Sequence, residues 1–251
     1  MRFKVIACKV LYREISLLSA VSEHIIDATY LRQGFHDTPQ VLQSLLQQEI
    51  DRVEAREDMY SYLPADEERE FDAILLGYGL CSNSVTGLKS RRYPLVIPRA
   101  HDCATLLLGS KEKYREVFDA AQGGMYWYSG GWIENAVMPS RGRVERLRAA
   151  YEEKYGEDNA EYLMEMEQNW LKEYKACAFI DWHVLDNAAH IAFTKDCADY
   201  LGWEYRQLTG DSGLLRDFLS GSWDDARFLV VPPGQTLGQS YDDSVLKAAF
   251  S

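Results

Sequence analysis

Phe71-Asp72-Ala73-Ile74-Leu75-Leu76-Gly77-Tyr78-Gly79-Leu80-Cys81-Ser82-Asn83 is the stretch on which the fold reading turns. Its first half is an apolar run that reads as a buried strand, and Gly77 and Gly79 stop it. A second such run, Tyr93-Pro94-Leu95-Val96-Ile97-Pro98, leads into Arg99-Ala100-His101-Asp102-Cys103. Its prolines suit the ends of a strand better than a central ladder. Both stretches place chemistry-bearing residues directly after a strand, the edge at which open α/β sheets bind their ligands.

Outward from this pair, strands and helices alternate. Phe3 to Val10 and Ile25 to Leu31 read as strands, with a helix from Arg13 to Val21 between them. Thr38-Pro39 is a helix start, followed by apolar residues at helical spacing from Val41 to Val53. Arg56 to Glu70 is a charged, solvent-exposed stretch. Ser110 caps a helix through Ala121. Gly123 to Trp132 reads as a glycine and aromatic loop, followed by charged helices at Arg143–Tyr155 and Asn159–Tyr174. In the second of these, Tyr162, Met166, Trp170 and Tyr174 form an apolar stripe. Strands at Cys177–Trp182, Trp203–Leu208 and Phe228–Val231 alternate with helices at Asp186–Leu201, ending at Gly202, and Ser212–Leu219, ending at Gly221. The pattern predicts an α/β fold, a mostly parallel sheet flanked by helices on both faces. The expected organisation is a single domain over 1–251, with 123–175 as a helical and aromatic-loop insertion or lid.

With 251 residues, 47% of them hydrophobic and 26% charged, the chain has the composition of a globular protein with a full core. A formal charge of −12 argues against non-specific nucleic-acid binding, which needs a basic footprint. No apolar run is long enough to span a bilayer, and the N-terminus enters a strand with no signal-peptide pattern. Five cysteines without the spacing of a secreted scaffold suit a reducing compartment. The expectation is a cytoplasmic protein without nucleic-acid or membrane partners.

Cys8, Cys81, His101 and Cys103 all fall at or just past strand ends, where a parallel sheet brings distant residues together. Three thiols and an imidazole suit zinc or another thiophilic metal ion, with Asp102 orienting His101. The alternatives are that these cysteines are small core residues, or that Cys81 or Cys103 is a nucleophile with His101 as base. Asp102 and Arg99 are the candidate catalytic residues, Arg99 and Arg13 being able to bring positive charge to the pocket. Ser82 and Asn83 are candidates for holding an anion or cofactor, and Tyr126 and Trp127 for an aromatic lid over a ligand. The Gly77-x-Gly79 turn lacks the rest of a dinucleotide fingerprint and is read as conformational. Glu14 could bind a metal or act as a base, with an exposed helix-start carboxylate as the default reading, and Asp211 stands equally as a helix-start residue or a functional acid. His24, His36 and His190 carry no partner pattern. Asp181, Trp182 and His183 are expected at the same edge as the cysteines. Cys177 sits at the opposite end of its strand, and Cys197 is read as core.

The stretches Ala7-Cys8-Lys9-Val10-Leu11-Tyr12-Arg13-Glu14, Gly77 to Asn83, Pro98 to Cys103, Tyr126-Trp127-Tyr128-Ser129 and Phe228 to Gly234 together resemble the family of domain of unknown function 1638. The resemblance spans Cys8 to Gly234. Members of that family are often encoded near corrinoid-dependent methyltransferases in anaerobes. By association, the resemblance implies a role in methyl-transfer or one-carbon metabolism, with a corrinoid or methyltransferase protein as a candidate partner. No corrinoid-binding D-x-H-x-x-G motif is present. Two functions stand side by side. One is a metal-dependent enzyme on a small molecule, and the other a non-catalytic protein that binds or delivers a metal or corrinoid-related ligand.

Overall fold

Strand β1 (Arg2–Cys8) is buried from Phe3 onward, so it belongs in the interior of a sheet. In the computed structural model, which describes residues 1–57, 70–122 and 124–250, it lies there. β2 (Ile25–Leu31) pairs parallel on one side of it and β3 (Ala73–Gly77) on the other. β4 (Leu95–Pro98) follows β3 in parallel, and β8 (Phe228–Val231) closes the far edge antiparallel. The order is β2-β1-β3-β4-β8. Lys4, the one charged side chain on the buried part of β1, donates to Asp27 of β2 at 2.9 Å, which balances the cost of burying an ammonium.

Helices α1 (Tyr12–Ala20), α2 (Pro39–Glu54) and α3 (Cys103–Leu108) follow β1, β2 and β4, and α9 (Gly213–Ser220) precedes β8. Leu42, Leu46, Ile50 and Val53 of α2 are buried at the spacing the sequence indicates. Pro39 opens α2 as expected, but the Thr38 hydroxyl makes no cap bond and instead donates to Phe35 O at 3.4 Å. A short hairpin, β9 (Gln235–Gln239) and β10 (Leu246–Phe250), extends the strand series beyond Val231.

The chain divides into two compact units, one of residues 1–113 and 211–251, the other of residues 114–210. The second unit has its own parallel sheet of β5 (Met125–Tyr128), β6 (Ala176–Asp181) and β7 (Glu204–Thr209), in that order. It takes most of α4 (Lys111–Ala120), then α5 (Gly130–Asn135), α6 (Arg141–Tyr155), α7 (Glu157–Gln168) and α8 (Ala188–Leu201). This unit is wider than the 123–175 segment expected to form an insertion, because β6, α8 and β7 complete its sheet. Its core gathers Tyr128, Cys177, Phe179, Cys197 and Trp203.

Two local readings change here. The aromatic run at 125–128 is a strand rather than a loop, and Ser129 caps α5 by accepting the Trp132 N–H at 3.3 Å. Tyr162 and Met166 are exposed, whereas Ala160 and Met164 are the buried residues of α7. The helix ends at Gln168 and tightens into a 3₁₀ turn at Asn169–Glu173, so the four-residue spacing does not stay on one helical face. The charged stretch from Arg56 to Glu70 lies, for 58–69, outside the described residues, as do Gly123 and the His36 side chain.

Candidate thiolate site

In the first sheet the connection from β1 leads to one side and β3 lies on the other, so the strand order reverses between β1 and β3. Such a switch point leaves a crevice beyond the C-terminal strand ends. Cys8 is the last residue of β1, and Tyr78 follows the last residue of β3. The two glycines make room there, both without a left-handed backbone. A β-carbon at Gly77 would meet Ala7 Cβ at 2.6 Å, and one at Gly79 would meet Asp102 N at 2.6 Å. This close approach lets the segment after β3 pair with the segment after β4. Leu80 N donates to Ala100 O at 2.8 Å, and Cys81 N to His101 O at 3.0 Å.

Cys81 and Cys103 are thereby brought to Cys8. The Cys103 thiol is hydrogen-bonded to the side chains of both Cys8 and Cys81. The Cys8 thiol is pulled below its ordinary value, first by the Cys103 donor and then by the backbone N–H groups of Val10 and Lys9, against the opposing effect of burial. Cys103 moves well above its ordinary value, because it donates to its two neighbours and is buried. Within the pair, Cys8 gives up its proton more readily and Cys103 holds its own more tightly. All five cysteines are free, and Cys81 alone of the cluster is half-exposed.

Two features of this centre give little signal in the sequence. Tyr78 is 2% exposed, and its hydroxyl has no hydrogen-bond partner among the described residues. Burial, together with the charges of Cys8, Cys103 and Cys81, pushes its phenol well above the ordinary value. Cys81, Ser82 and Asn83 have φ of +45°, +57° and +66°, three consecutive non-glycine residues in the left-handed region. Such residues cost roughly 1–2 kcal/mol each and persist where surrounding structure holds them. The Asn at the third position is the one weak sequence sign of that turn.

The other candidate residues go elsewhere. The His101 side chain is exposed, and only its carbonyl meets Cys81. Asp102 caps α3, its Oδ1 accepting from Thr105 N at 3.1 Å and Thr105 Oγ1 at 3.3 Å. Arg99 is a buried staple rather than a source of charge for a ligand. It donates to the carbonyls of Asp225 (2.7 Å), Phe228 (3.2 Å), Ser244 (3.0 Å) and Leu246, and pairs with Asp225 Oδ1 at 3.0 Å. Ser82 and Asn83 are exposed beside the thiols. Tyr126 packs among Tyr128, Trp170, Tyr174 and Trp203 in the second unit, and Trp127 packs on Tyr114, so both serve as core-forming aromatics there. Asp181 and His183 end a strand of the second sheet instead of joining the cysteines on one edge. Burial raises Cys177 to about 12 and Cys197 to about 11, as befits core thiols.

Among the described residues, no group of three or more His, Cys, Asp or Glu is arranged to hold a metal ion. The cluster of Cys8, Cys103 and Cys81 offers soft sulfur donors, and His101 does not complete it.

The family model described as protein of unknown function (DUF1638) matches residues 30–219. The chain belongs to the DUF1638 family. No curated protein and no solved structure matches it. The family model covers Tyr78, Cys81 and Cys103, while Cys8 lies before its first matched residue. No helix among the described residues is long and apolar enough to cross a membrane.

Proposed function

We propose that this DUF1638 protein works through sulfur at the β1/β3 crevice, with Cys8 as the reactive thiolate toward a small, soft electrophile. What supports the reading is the surroundings of Cys8 Sγ, where the Cys103 thiol first and the nearby backbone N–H groups of Val10 and Lys9 favour the charged form, although Cys8 makes no side-chain cap hydrogen bond to the turn that follows it. A thiol whose charged form is favoured in this way ionises more readily than an ordinary cysteine, and the thiolate is the form that attacks carbon or sulfur. A methyl group on a good leaving group is one such electrophile. The methyl-transfer setting expected from the sequence resemblance is therefore compatible with this chemistry.

The donor set supports a second reading. Cys8, Cys81 and Cys103 are soft donors of the kind a thiophilic ion takes, zinc first, but as they stand they are not arranged around one ion, so the three sulfurs would have to close on it, with a fourth ligand from the small molecule. The metal would supply Lewis acidity, and the protein would then be a metal-dependent enzyme or a binding and delivery protein.

Anaerobic purification followed by elemental analysis and peptide-resolved iodoacetamide labelling separates the two. Metal-free protein in which Cys8 alkylates at neutral pH, faster than Cys177 and Cys197, supports the nucleophile. Near one equivalent of zinc, lost in Cys81→Ser, supports the metal site. Metal-free protein with Cys8 inert below pH 9 would remove both.

A further inference from the structure

The C-terminal edge of the second sheet carries a cluster that the thiolate centre does not use. β6 ends in Asp181, only 5% exposed. Its Oδ1 accepts from the backbone N–H of His183 at 2.9 Å and from Asn187 Nδ2 at 3.0 Å. Its Oδ2 accepts from Gln207 Nε2 at 3.3 Å and lies 3.2 Å from His183 Nδ1. A buried carboxylate tied on both oxygens is a rigid anchor for the ring beside it. The ring itself is half-exposed, and His183 takes a φ of +58°, a conformation rare for a residue with a β-carbon and one that concentrates at functional sites.

The other ring nitrogen, Nε2, lies 3.3 Å from Oγ1 of Thr209, an exposed residue at the end of the neighbouring strand β7. In the tautomer that carries its proton on Nδ1, 3.2 Å from Asp181 Oδ2, Nε2 has the lone pair and the Thr209 hydroxyl is the donor to it. Behind the anchor, Asn187 Oδ1 accepts from His190 Nδ1 at 3.3 Å, and His190 Nε2 lies 3.5 Å from Glu134 Oε1. That chain fixes which end of the Asn187 amide faces Asp181. Gly130 makes room for it, since a β-carbon there would sit 3.2 Å from Asn187 Oδ1 and 3.3 Å from His190 Nδ1.

We propose that Thr209, His183 and Asp181 form a hydroxyl–imidazole–carboxylate relay that activates the Thr209 hydroxyl for acyl transfer from a small carboxylic ester. Such a relay is recognised by geometry and roles, whatever the chain order of its members. Hydroxyl-to-imidazole distances slightly beyond hydrogen-bond ideal are usual before substrate binds. In the step, Thr209 Oγ1 forms a bond to the acyl carbon and its proton passes to His183 Nε2. The bond from the acyl carbon to the leaving oxygen breaks, and the proton moves from Nε2 to that oxygen. Water then repeats the sequence on the acyl-threonine, releasing the acid and restoring Thr209.

The full chain, treated with p-nitrophenyl acetate, quenched in acid and mapped by peptide mass spectrometry, tests this. The expected result is acetylation at Thr209 in the wild type and equally in Cys8→Ser, which separates this site from the thiolate centre. His183→Gln, a change at an exposed ring that leaves the fold intact by circular dichroism, is expected to lower Thr209 labelling at least tenfold. Thr209→Val abolishes it, whereas Thr209→Ser retains it. No acetyl group at Thr209 in the wild type, or labelling undiminished in His183→Gln, would overturn the proposal.

Discussion

Cys103→Ala tests the assignment of charge within the thiol cluster. The substitution deletes the largest support for the Cys8 thiolate and leaves the backbone N–H donors of Val10 and Lys9 in place. A hydrogen bond to a charged acceptor contributes about 1.5–3 kcal/mol. At about 1.4 kcal/mol per pKa unit, its loss raises the Cys8 midpoint by about 1–2 units. At pH values below both midpoints the thiolate fraction then falls about 10- to 100-fold. A more basic thiolate is also more nucleophilic, with a Brønsted slope of about 0.4–0.5, which returns about 3- to 10-fold. The expected net slowing below both midpoints is therefore about 3- to 10-fold, and the shift of the midpoint is the sharper signal. The assay is peptide-resolved iodoacetamide alkylation of Cys8 between pH 5 and 11, wild type beside Cys103→Ala. A cavity opened by the missing sulfur speeds alkylation at every pH without moving the midpoint. A midpoint that stays put or falls would refute the claim that Cys103 is the donor and Cys8 the thiolate.

Stability should pass through a maximum near the ordinary thiol range. Cys8 has a depressed folded value, so its contribution is present above the unfolded value near 9.0 and is lost as pH falls through the folded one. Cys103, Cys177 and Cys197 are raised, the latter two to about 12 and about 11, so their contributions hold below the unfolded value and are lost as pH rises above it. Urea unfolding at pH 8, 9 and 10 should show stability falling above pH 9 by up to about 1.4 kcal/mol per pH unit for each raised thiol. A flat profile there would contradict the burial of those groups. Tyr78→Phe removes a buried hydroxyl that has no partner among the described residues and should raise unfolding stability by about 1 kcal/mol. A clear loss in the same urea experiment would mean that the hydroxyl is satisfied in solution. Arg99→Ala strips the donors from four backbone carbonyls and should cost about 3 kcal/mol or more, with the Cys8 alkylation midpoint unchanged. A shifted midpoint in a stably folded Arg99→Ala would return Arg99 to the site.

Most of the elements and half of the site were legible in the sequence for local reasons. Unbroken apolar runs such as Ala73–Gly77 can be satisfied only inside a sheet, and Gly202 and Gly221 take the left-handed caps that end α8 and α9. The convergence of Cys8, Cys81 and Cys103 follows from strand ends sharing an edge. The misreadings share one physical cause, that a side chain's role depends on partners far along the chain. Arg99 looks like a ligand's counter-charge until carbonyls 126 to 147 residues away claim its guanidinium. Tyr126 and Trp127 look like a lid because flanking glycines mask a strand whose aromatics pack on residues near 170 and 203.

The sequence by itself determined an α/β chain of alternating strands and helices with thiols at strand ends, since hydrophobic period and glycine placement act over a few residues. Only the tertiary structure decided that the strands form separate sheets and that His101 stays outside the cluster. It also decided that Cys8 ionises more readily than Cys103 and that His183 lies between Asp181 and Thr209. Pairing between strands and the donors around a sulfur or a carboxylate are long-range matters, and no local pattern of residues encodes them.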